Sequence, residues 1–239
     1  MALRLKYKRI LLKLSGEALA GDSNFGLNYG IIKEICIEIK NLHSLGAQIA
    51  IVVGGGNFWR GKTSSSAMAR TRSDHIGMLA TAMNALAVAD ALENLGVEVR
   101  VQTAISMQAV AEPYIRNRAV RHIEKNRVVI LGCGTGNPFF STDTAASLRA
   151  AEIEAEIIFK ATQVDGVFDK DPNKFSDAIK FDNVTFDEVL EKNLKFADLT
   201  AITMCKNSSI PWLVFNLSNP KNIVKAALGE NVGTLVFKN

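Results

Sequence analysis

The sequence contains few cysteines, and these are not arranged as metal ligands or as disulfide partners. Only Cys36, Cys133 and Cys205 occur in 239 residues, far apart and without Cys-x-x-Cys or Cys/His spacing. This pattern argues against a disulfide framework and against a zinc site. The three histidines also lack partners at metal-ligand spacing. A reducing cytoplasm is therefore the expected location.

Long apolar runs and a large excess of one charge are also missing. No apolar run approaches the roughly 18 residues that a membrane-spanning helix needs, so we expect no membrane segment. The short apolar run at 10–14 contains Lys13, and we expect no export signal there. The chain has 28 basic and 24 acidic residues, a net charge of +4, with the basic residues spread along it. This distribution favours a solvated surface over a nucleic-acid-binding patch.

The two most familiar nucleotide-binding motifs are absent from the segment that is richest in glycine. Residues 132–146 read GCGTGNPFFSTDTAA, with three alternating glycines. Their spacing differs from the Rossmann G-x-G-x-x-G pattern, and no Gly-Lys-Ser/Thr follows as a Walker A loop requires. Glycine nevertheless lets the backbone adopt positive φ and approach a ligand closely. The segment therefore suggests an anion-binding loop of another type.

Strand and helix patterns alternate along the chain. Short apolar runs predict strands at 9–14, 48–53, 98–102, 127–131, 156–161, 212–216 and 234–237. Helices are predicted between them: one with an apolar stripe from Ile31 to a stop at Gly46, one at about 73–95, one capped by Ser141-Thr142, and others near 185–192, 200–207 and 222–228. This order predicts an α/β fold, a mostly parallel central sheet with helices on both faces. No linker or repeat divides the chain, so we expect a single domain over 1–239.

Glycine-rich turns follow several predicted strands. Ser15-Gly16 follows the strand that carries Lys13, Gly54–Gly56 follows the next one, and 132–136 ends a later one. Ligands of parallel α/β sheets bind beyond the carboxyl ends of the strands. Three such turns on one edge would line a long groove with backbone N–H donors and helix N-termini. Two nucleotides, rather than one phosphate, would need a groove of this size.

Several motifs, in order along nearly the whole chain, resemble the bacterial uridylate kinases, the UMP kinase branch of the amino-acid-kinase superfamily. They are KRILLKLSGEAL at 8–19, GGGN at 54–57 with Arg60-Gly61, Asp74 with GMLAT at 77–81, GTGNPFF at 134–140, KAT at 160–162, and DGVF at 165–168 with Asp171-Pro172. The resemblance implies an amino-acid-kinase-like αβα sandwich. It also implies transfer of the γ-phosphoryl group of ATP to UMP with Mg²⁺, giving ADP and UDP.

The resemblance also implies roles for individual residues. It assigns catalysis to Lys13, Asp143 and Arg60. It assigns ATP contacts to Lys13, Leu14, Ser15, Gly16, Gly56, Arg60, Thr162, Phe168 and Asp171. It assigns UMP contacts to Gly55, Asp74, Thr135, Gly136, Asn137, Pro138, Phe139, Phe140, Ser141 and Thr142. Within the single domain, it implies that the N-terminal part forms mainly the UMP site and the C-terminal part mainly the ATP site. The metal ligands are not specified.

Two of the implied carboxylates have simpler explanations. Asp143 is either an exposed carboxylate favoured by the dipole at a helix N-terminus or an organiser of Lys13 and the phosphates, and we favour the second. Asp74 is either a first-turn helix carboxylate or an acceptor for a ribose hydroxyl of UMP. Asp198 matches an acidic position of the relatives, but its role is open.

Other implied residues also keep alternatives. Phe139 and Phe140 are expected with equal weight in the core or stacked on a base. Lys160 is expected near ATP or simply solvated. Cys133 stands where relatives commonly carry a small apolar residue, and we expect it to make the acceptor loop sensitive to thiol reagents.

Regulation and assembly follow from the resemblance alone. It implies a cytoplasmic homohexamer inhibited by UTP, and activation by GTP through a loop made of Gly21, Asp22, Ser23, Asn24, Phe25 and Gly26. Two alternatives stay open. One is a sister kinase acting on aspartate, glutamate, acetylglutamate or carbamate, and the other is an additional nucleic-acid-binding regulatory role.

Overall fold

A computed structural model describes residues 4–23, 25–60 and 68–239 of the chain. Within these ranges the strands are β1 Arg9–Leu14, β2 Gln48–Val53, β3 Val99–Thr103, β4 Glu112–Pro113, β5 Val128–Gly132, β6 Ile157–Thr162, β7 Asn183–Thr185, β8 Trp212–Asn216 and β9 Gly233–Phe237. They form one sheet in the order β4-β3-β5-β2-β1-β6-β8-β9-β7. Neighbouring strands are parallel except β8 and β9, which are antiparallel. The prediction of a mostly parallel sheet is confirmed.

Helices connect the strands. They are α1 Gly16–Ala20, α2 Tyr29–Ser44, α3 Arg70–Asn94, α4 Arg116–Glu124, α5 Thr142–Glu152, α6 Phe186–Glu191, α7 Leu199–Ser208 and α8 Asn222–Leu228, with a 3₁₀ turn at Gly21–Ser23. Ser141 caps α5 by accepting hydrogen bonds from the N–H groups of Asp143 and Thr144, as the sequence predicts. Gly46 follows α2 with φ of +91°, the conformation expected of a glycine after a helix.

Side chains of the central strands alternate between two apolar cores, one on each face of the sheet. Ile10, Leu12 and Leu14 of β1 pack with residues of α2, α3 and α8. Leu11, between them, packs on the other face with residues of α4, α5, α6 and α7. Because successive residues of a strand point to opposite faces, the buried part of β1 is apolar on both faces except at Lys13, near its carboxyl end. Helices cover both faces, as expected.

The predicted strands differ from the observed ones by at most one residue at either end. The elements that sequence reasoning missed are α1, α4, β4 and β7. Helix α4 reads RNRAVRHIE and buries only Ala119 and Ile123, so its apolar stripe is too sparse to detect. Strands β4 and β7 have two and three residues, which is too short for a periodic pattern.

Helix α3 buries several polar residues, whereas some of its apolar residues face solvent. Ser73, Thr81 and Asn84 are buried, whereas Leu79 and Met83 are about half exposed. By length and composition α3 could cross a membrane, contrary to the expectation of no such segment. However, 56% of its most apolar window is buried within the fold, and core helices of globular proteins meet the same criteria.

Candidate active site

Two cavities open beside each other at the carboxyl ends of the central strands. The β6 cavity, about 800 Å³, is lined mainly by the chain that follows β6, residues 160–175. The α3 cavity, about 840 Å³, is lined by the start of α3, the turn after β2 and residues 134–144. Both linings include Lys13, Ser15, Glu17 and Arg60. These residues therefore lie at the junction of the two cavities.

A cluster of buried charges lies at this junction. Lys13 of β1 and Lys160 of β6 are register partners on neighbouring parallel strands, and both are buried. Two ammonium groups side by side would repel each other. Asp143 at the start of α5 lies between them, with Oδ1 3.2 Å from Lys13 Nζ and Oδ2 2.6 Å from Lys160 Nζ. One carboxylate thus offsets the repulsion of two cations.

The pKa values of this cluster reflect two opposing effects. Burial tends to raise the pKa of Asp143, but the charges of Lys13 and Lys160 outweigh it and lower the pKa to about 2. Burial lowers the pKa of Lys160 to about 8, although Asp143 opposes this shift. Asp143 is therefore ionised at neutral pH. Lys160 is not a solvated lysine, because its ammonium also donates a hydrogen bond to the carbonyl of Phe196.

Asp198, whose role the sequence left open, fixes the position of α5. Its carboxylate accepts hydrogen bonds from the hydroxyls of Ser141 and Thr144, the latter at 2.9 Å. The same carboxylate caps α7 by accepting from the N–H of Ala201. Asp198 therefore ties together the N-termini of α5 and α7, and α5 carries Asp143.

The loop 133–140 has an irregular backbone that reaches from β5 to α5. Cys133, Gly134, Gly136 and Phe139 all have positive φ, between +57° and +84°. Cys133 and Phe139 carry a side chain in the left-handed conformation, which costs about 1 kcal/mol or more and needs support from surrounding structure.

Asp74 supports part of this loop from α3. Its carboxylate accepts a hydrogen bond of 2.8 Å from the N–H of Phe139 and pairs with Arg70 at 2.9 Å. Asp74 lies beyond the first turn of α3, because the helix begins at Arg70 rather than near Ser73. The interpretation of Asp74 as a first-turn carboxylate is therefore wrong.

The two phenylalanines of the loop are exposed, at 65% for Phe139 and 51% for Phe140. Their placement in the core, one of the two alternatives, is therefore wrong. The Arg70 guanidinium lies 5.6 Å from the centre of the Phe139 ring. Both rings line the α3 cavity, where they are available to a planar ligand.

Glycine is required in the turn after β2 because other backbones approach it closely. A Cβ at Gly55 would lie 2.7 Å from the carbonyl oxygen of Gly77 on α3. On the other side, a Cβ at Gly16, the first residue of α1, would lie 2.7 Å from the backbone nitrogen of Gly56. Residues 54–57, here called the glycine turn, are thus packed directly against α1 and α3.

Most of the residues implied by the resemblance line one of the two cavities. The β6 cavity includes Lys13, Ser15, Arg60, Thr162, Phe168 and Asp171. The α3 cavity includes Lys13, Ser15, Gly16, Gly55, Gly56, Arg60, Asp74, Thr135, Asn137, Phe139, Phe140, Ser141, Thr142 and Asp143. Neither lining includes Leu14, whose side chain is in the core, or Gly136 and Pro138, which shape the loop. Gly56, implied in ATP binding, lines the α3 cavity instead.

Several residues that line the cavities received no role from the sequence. They include Glu17, Trp59, Arg70 and Thr200 of the α3 cavity and Gln163, Lys174 and Lys195 of the β6 cavity. Thr81 carried a detectable signal, a hydroxyl inside an otherwise Ala- and Met-rich helix. Glu17, Arg70 and Thr200 lie in the first turns of helices. The others lie on irregular segments, where no periodicity marks a side chain as facing a cavity.

The residues 21–26 lie outside both cavity linings but next to the glycine turn. Gly21 and Gly26 have positive φ, and the Ser23 hydroxyl donates a 2.7 Å hydrogen bond to the carbonyl of Ala20. The N–H of Gly26 donates to the carbonyl of Asn57, and the Asn57 amide donates back to Gly26. Asn24 lies outside the described residues.

Cys133 is fully buried against Met78 and Ala82. Burial raises the pKa of its thiol, which reduces the thiolate fraction that reacts with thiol reagents. The structure therefore gives no support to the expected thiol sensitivity.

We predict that Lys160 titrates with a pKa near 8 because burial disfavours its charged form. NMR spectra of protein labelled at the lysine ε-carbons should contain one signal that titrates in this range and is absent from Lys160→Met. In Asp143→Asn the pKa of Lys160 should fall further, because the neighbouring negative charge is removed. A Lys160 signal that titrates only near the ordinary lysine value, about 10.4, contradicts the prediction.

The fold of the chain is similar to the folds of known proteins. The model of the amino acid kinase family matches residues 8–216. The crystal structure of UMP kinase from Bacillus anthracis is similar, with a TM-score of 0.94 and 38% identity over 98% of this chain and 97% of that one. UMP kinase from Ureaplasma parvum has a TM-score of 0.92 and 36% identity over 98% and 100% of the two chains.

Uridylate kinase from Archaeoglobus fulgidus, with a TM-score of 0.73 and 30% identity over 95% and 99% of the two chains, is a more distant relative. The matches span almost the full length of all three proteins. The same central sheet and crossover helices therefore occur in proteins that share about a third of their residues with this one. The chain belongs to the amino acid kinase family, in its UMP kinase branch.

Proposed function

We propose that this chain is an ATP-dependent kinase that phosphorylates UMP to UDP in the cytoplasm. The observation that supports this most is the pair of adjacent cavities that meet at the Lys13–Asp143–Lys160 cluster. In this proposal the β6 cavity, built mainly from the C-terminal part of the chain, takes ATP. The α3 cavity, built mainly from the N-terminal part of a single domain, takes UMP.

The reaction joins an oxygen of the UMP phosphate to the γ-phosphorus of ATP while the bond to the bridging oxygen of ADP breaks. Phosphate monoesters have a second pKa of about 6, so UMP enters largely as a dianion and needs no general base. The requirement is to hold two polyanions in line and to offset their charge. Lys13, at the junction of the cavities, is placed to stabilise the transferring group.

Asp143 acts on Lys13 rather than on substrate in this proposal. Its ion pair with Lys13 holds the ammonium in place before the nucleotides arrive, which reduces the reorganisation needed during transfer. Because its pKa is about 2, the carboxylate keeps its charge throughout the physiological pH range. Arg60, which is ion-paired with Glu17 at 3.3 Å, supplies further positive charge on the ATP side.

Mg²⁺ fits this site as a partner of ATP rather than as a resident ion. Among the described residues, no group of three or more His, Cys, Asp or Glu side chains could hold a metal. One buried carboxylate atom, Oδ1 of Asp143, has Lys13 Nζ at 3.2 Å as its ion-pair partner but accepts no hydrogen bond of good geometry in the part of the chain described, so it retains a lone pair for a cation. A single carboxylate with the nucleotide phosphates is a common Mg²⁺ environment. The bound ion would neutralise charge on the β- and γ-phosphates.

The loop 133–140, here called the acceptor loop, and helix α3 recognise UMP in this proposal. Thr135, Asn137, Ser141 and Thr142 offer hydroxyl and amide groups along one wall of the α3 cavity. The exposed Phe139 and Phe140 rings offer apolar faces to the uracil base. Asp74 accepts a hydrogen bond from a ribose hydroxyl.

Regulation belongs to the same proposal, with GTP as activator through 21–26 and UTP as inhibitor. The support is structural proximity. Gly26 is joined by two hydrogen bonds to Asn57, which follows Gly56 in the glycine turn. A ligand that moved 21–26 would therefore act on a wall of the α3 cavity.

We expect ADP formation from ATP with UMP, and much slower formation with CMP, AMP, aspartate, glutamate or carbamate. Lys13→Met should lower kcat by about a hundredfold or more because transition-state charge stabilisation is lost, with a smaller change in KM for UMP. A coupled assay of ADP formation measures both. Equal activity with CMP defeats the specificity, and near-normal turnover of the folded Lys13→Met protein defeats the role of Lys13.

Asp74→Asn distinguishes a ribose contact from support of the loop through Phe139. A lost contact with the ribose 2′-hydroxyl should lower the affinity for UMP at least about tenfold while leaving the affinity for dUMP almost unchanged. Loss of loop support alone would weaken both nucleotides equally. Titrations of wild type and variant with UMP, dUMP and ATP separate these outcomes, and unchanged affinity for all three removes Asp74 from the site.

We propose that a second copy of this chain covers the exposed apolar face of α3, as one contact of a homohexamer. Leu79, Met83 and Leu86 form this face at helical spacing, and they are 50%, 46% and 37% exposed. Leu79→Glu should reduce the mass measured by analytical ultracentrifugation, because association would bury an unpaired charge. Ile179→Glu, at an exposed loop position, is the control. A hexamer that persists in Leu79→Glu contradicts the assignment of this face.

A further inference from the structure

The inward face of α3 carries a polar stripe with no obvious reason to be polar. Ser73, Gly77, Thr81 and Asn84 follow each other at spacings of four, four and three residues, so they lie on one side of the helix. A polar side chain in the interior costs free energy unless its hydrogen bonds are made. The Ser73 hydroxyl accepts a 2.9 Å hydrogen bond from the indole N–H of Trp59, and Thr81 and Asn84 are bonded to the two loops that border the α3 cavity.

Thr81 holds the acceptor loop at its strained end. Its hydroxyl donates to the carbonyl of Met78 at 2.7 Å and accepts a 2.7 Å hydrogen bond from the N–H of Cys133. Cys133 has φ of +62°, a conformation that residues with a side chain rarely adopt. The hydroxyl is buried, and its donor and one acceptor position are used. It therefore acts through Cys133.

Asn84 holds the glycine turn in a similar way. Its amide donates to the carbonyl of Gly54 at 2.6 Å and to Oδ1 of Asn57 at 2.7 Å. The amide of Asn57 donates back to Oδ1 of Asn84 at 2.9 Å. One turn before Thr81, the backbone of Gly77 approaches Gly55 so closely that no Cβ fits at Gly55.

We infer that Thr81 and Asn84 are positioning residues for the acceptor nucleotide. They are one helical turn apart, and one holds the loop 133–140 while the other holds the glycine turn 54–57. The rigid helix thereby sets the distance between the two walls of the α3 cavity. This inference rests on the proposed function, because it takes UMP as the occupant of that cavity.

The hydroxyl of Thr81 can be removed with almost no change in side-chain shape, which makes it the sharper test. Thr81→Val leaves the Cys133 N–H unpaired, and we expect KM and the dissociation constant for UMP to rise about tenfold or more. Thr81→Ser keeps the hydroxyl and should stay within about threefold of wild type. The KM for ATP should be almost unchanged in both variants, because the end of the loop 133–140 that Thr81 holds does not line the β6 cavity.

The melting temperature is the control for a purely structural effect, and it is measured together with the dissociation constants for UMP and ATP. A structural role alone would lower the melting temperature without a selective loss of UMP affinity. In the Thr81→Val background, Cys133→Gly should restore part of the UMP affinity, because glycine adopts φ of +62° without a supporting hydrogen bond.

The inference is overturned if folded Thr81→Val binds UMP like wild type, or if Thr81→Ser is as impaired as Thr81→Val. Should the valine variant not fold, Thr81→Ala, which adds no atoms, takes its place under the same criteria. A wild-type enzyme without UMP turnover would contradict the proposed function instead, so the two failures are distinguishable.

Discussion

The ion-pair cluster of Lys13, Asp143 and Lys160 is the constraint on which the rest of the site depends. Two buried ammonium groups on neighbouring strands are costly, and removal of their shared carboxylate would leave like charges unpaired in the interior. The N-terminus of α5 must therefore lie over β1 and β6. Asp198 and Ser141 secure that position. The boundary between the two cavities follows from this arrangement.

Close backbone packing is the second requirement. The glycine turn fits between α1 and α3 because Gly16 and Gly55 have no Cβ. Part of the inner side of α3 is polar because Thr81 and Asn84 make hydrogen bonds with loop backbones, while Leu79 and Met83 are half exposed on its outer side. The same helix thus borders the candidate acceptor site on one side and the proposed subunit contact on the other. A single rigid helix therefore separates the candidate acceptor site from the proposed subunit contact.

Local sequence signals were sufficient for the fold class and for much of the site. Apolar runs followed by glycine gave the central strands to within one residue, because buried parallel strands are continuously apolar and end abruptly. The ordered motifs indicated the family and named most of the residues that line the two cavities. The cap at Ser141 was also readable, since it depends only on residues close in sequence.

What the sequence determined by itself is therefore local: where strands end, where helices start, and which glycines must turn. Only the tertiary structure decided which distant side chains meet. Lys160 is paired with Lys13 because β1 and β6, far apart in the chain, are neighbours in register. Asp198 reaches Ser141 because α5 packs on α7, and the Asp74 carboxylate accepts a hydrogen bond from the N–H of Phe139, 65 residues away in the chain. No periodicity encodes these contacts, since strand order and helix packing arise from the whole chain.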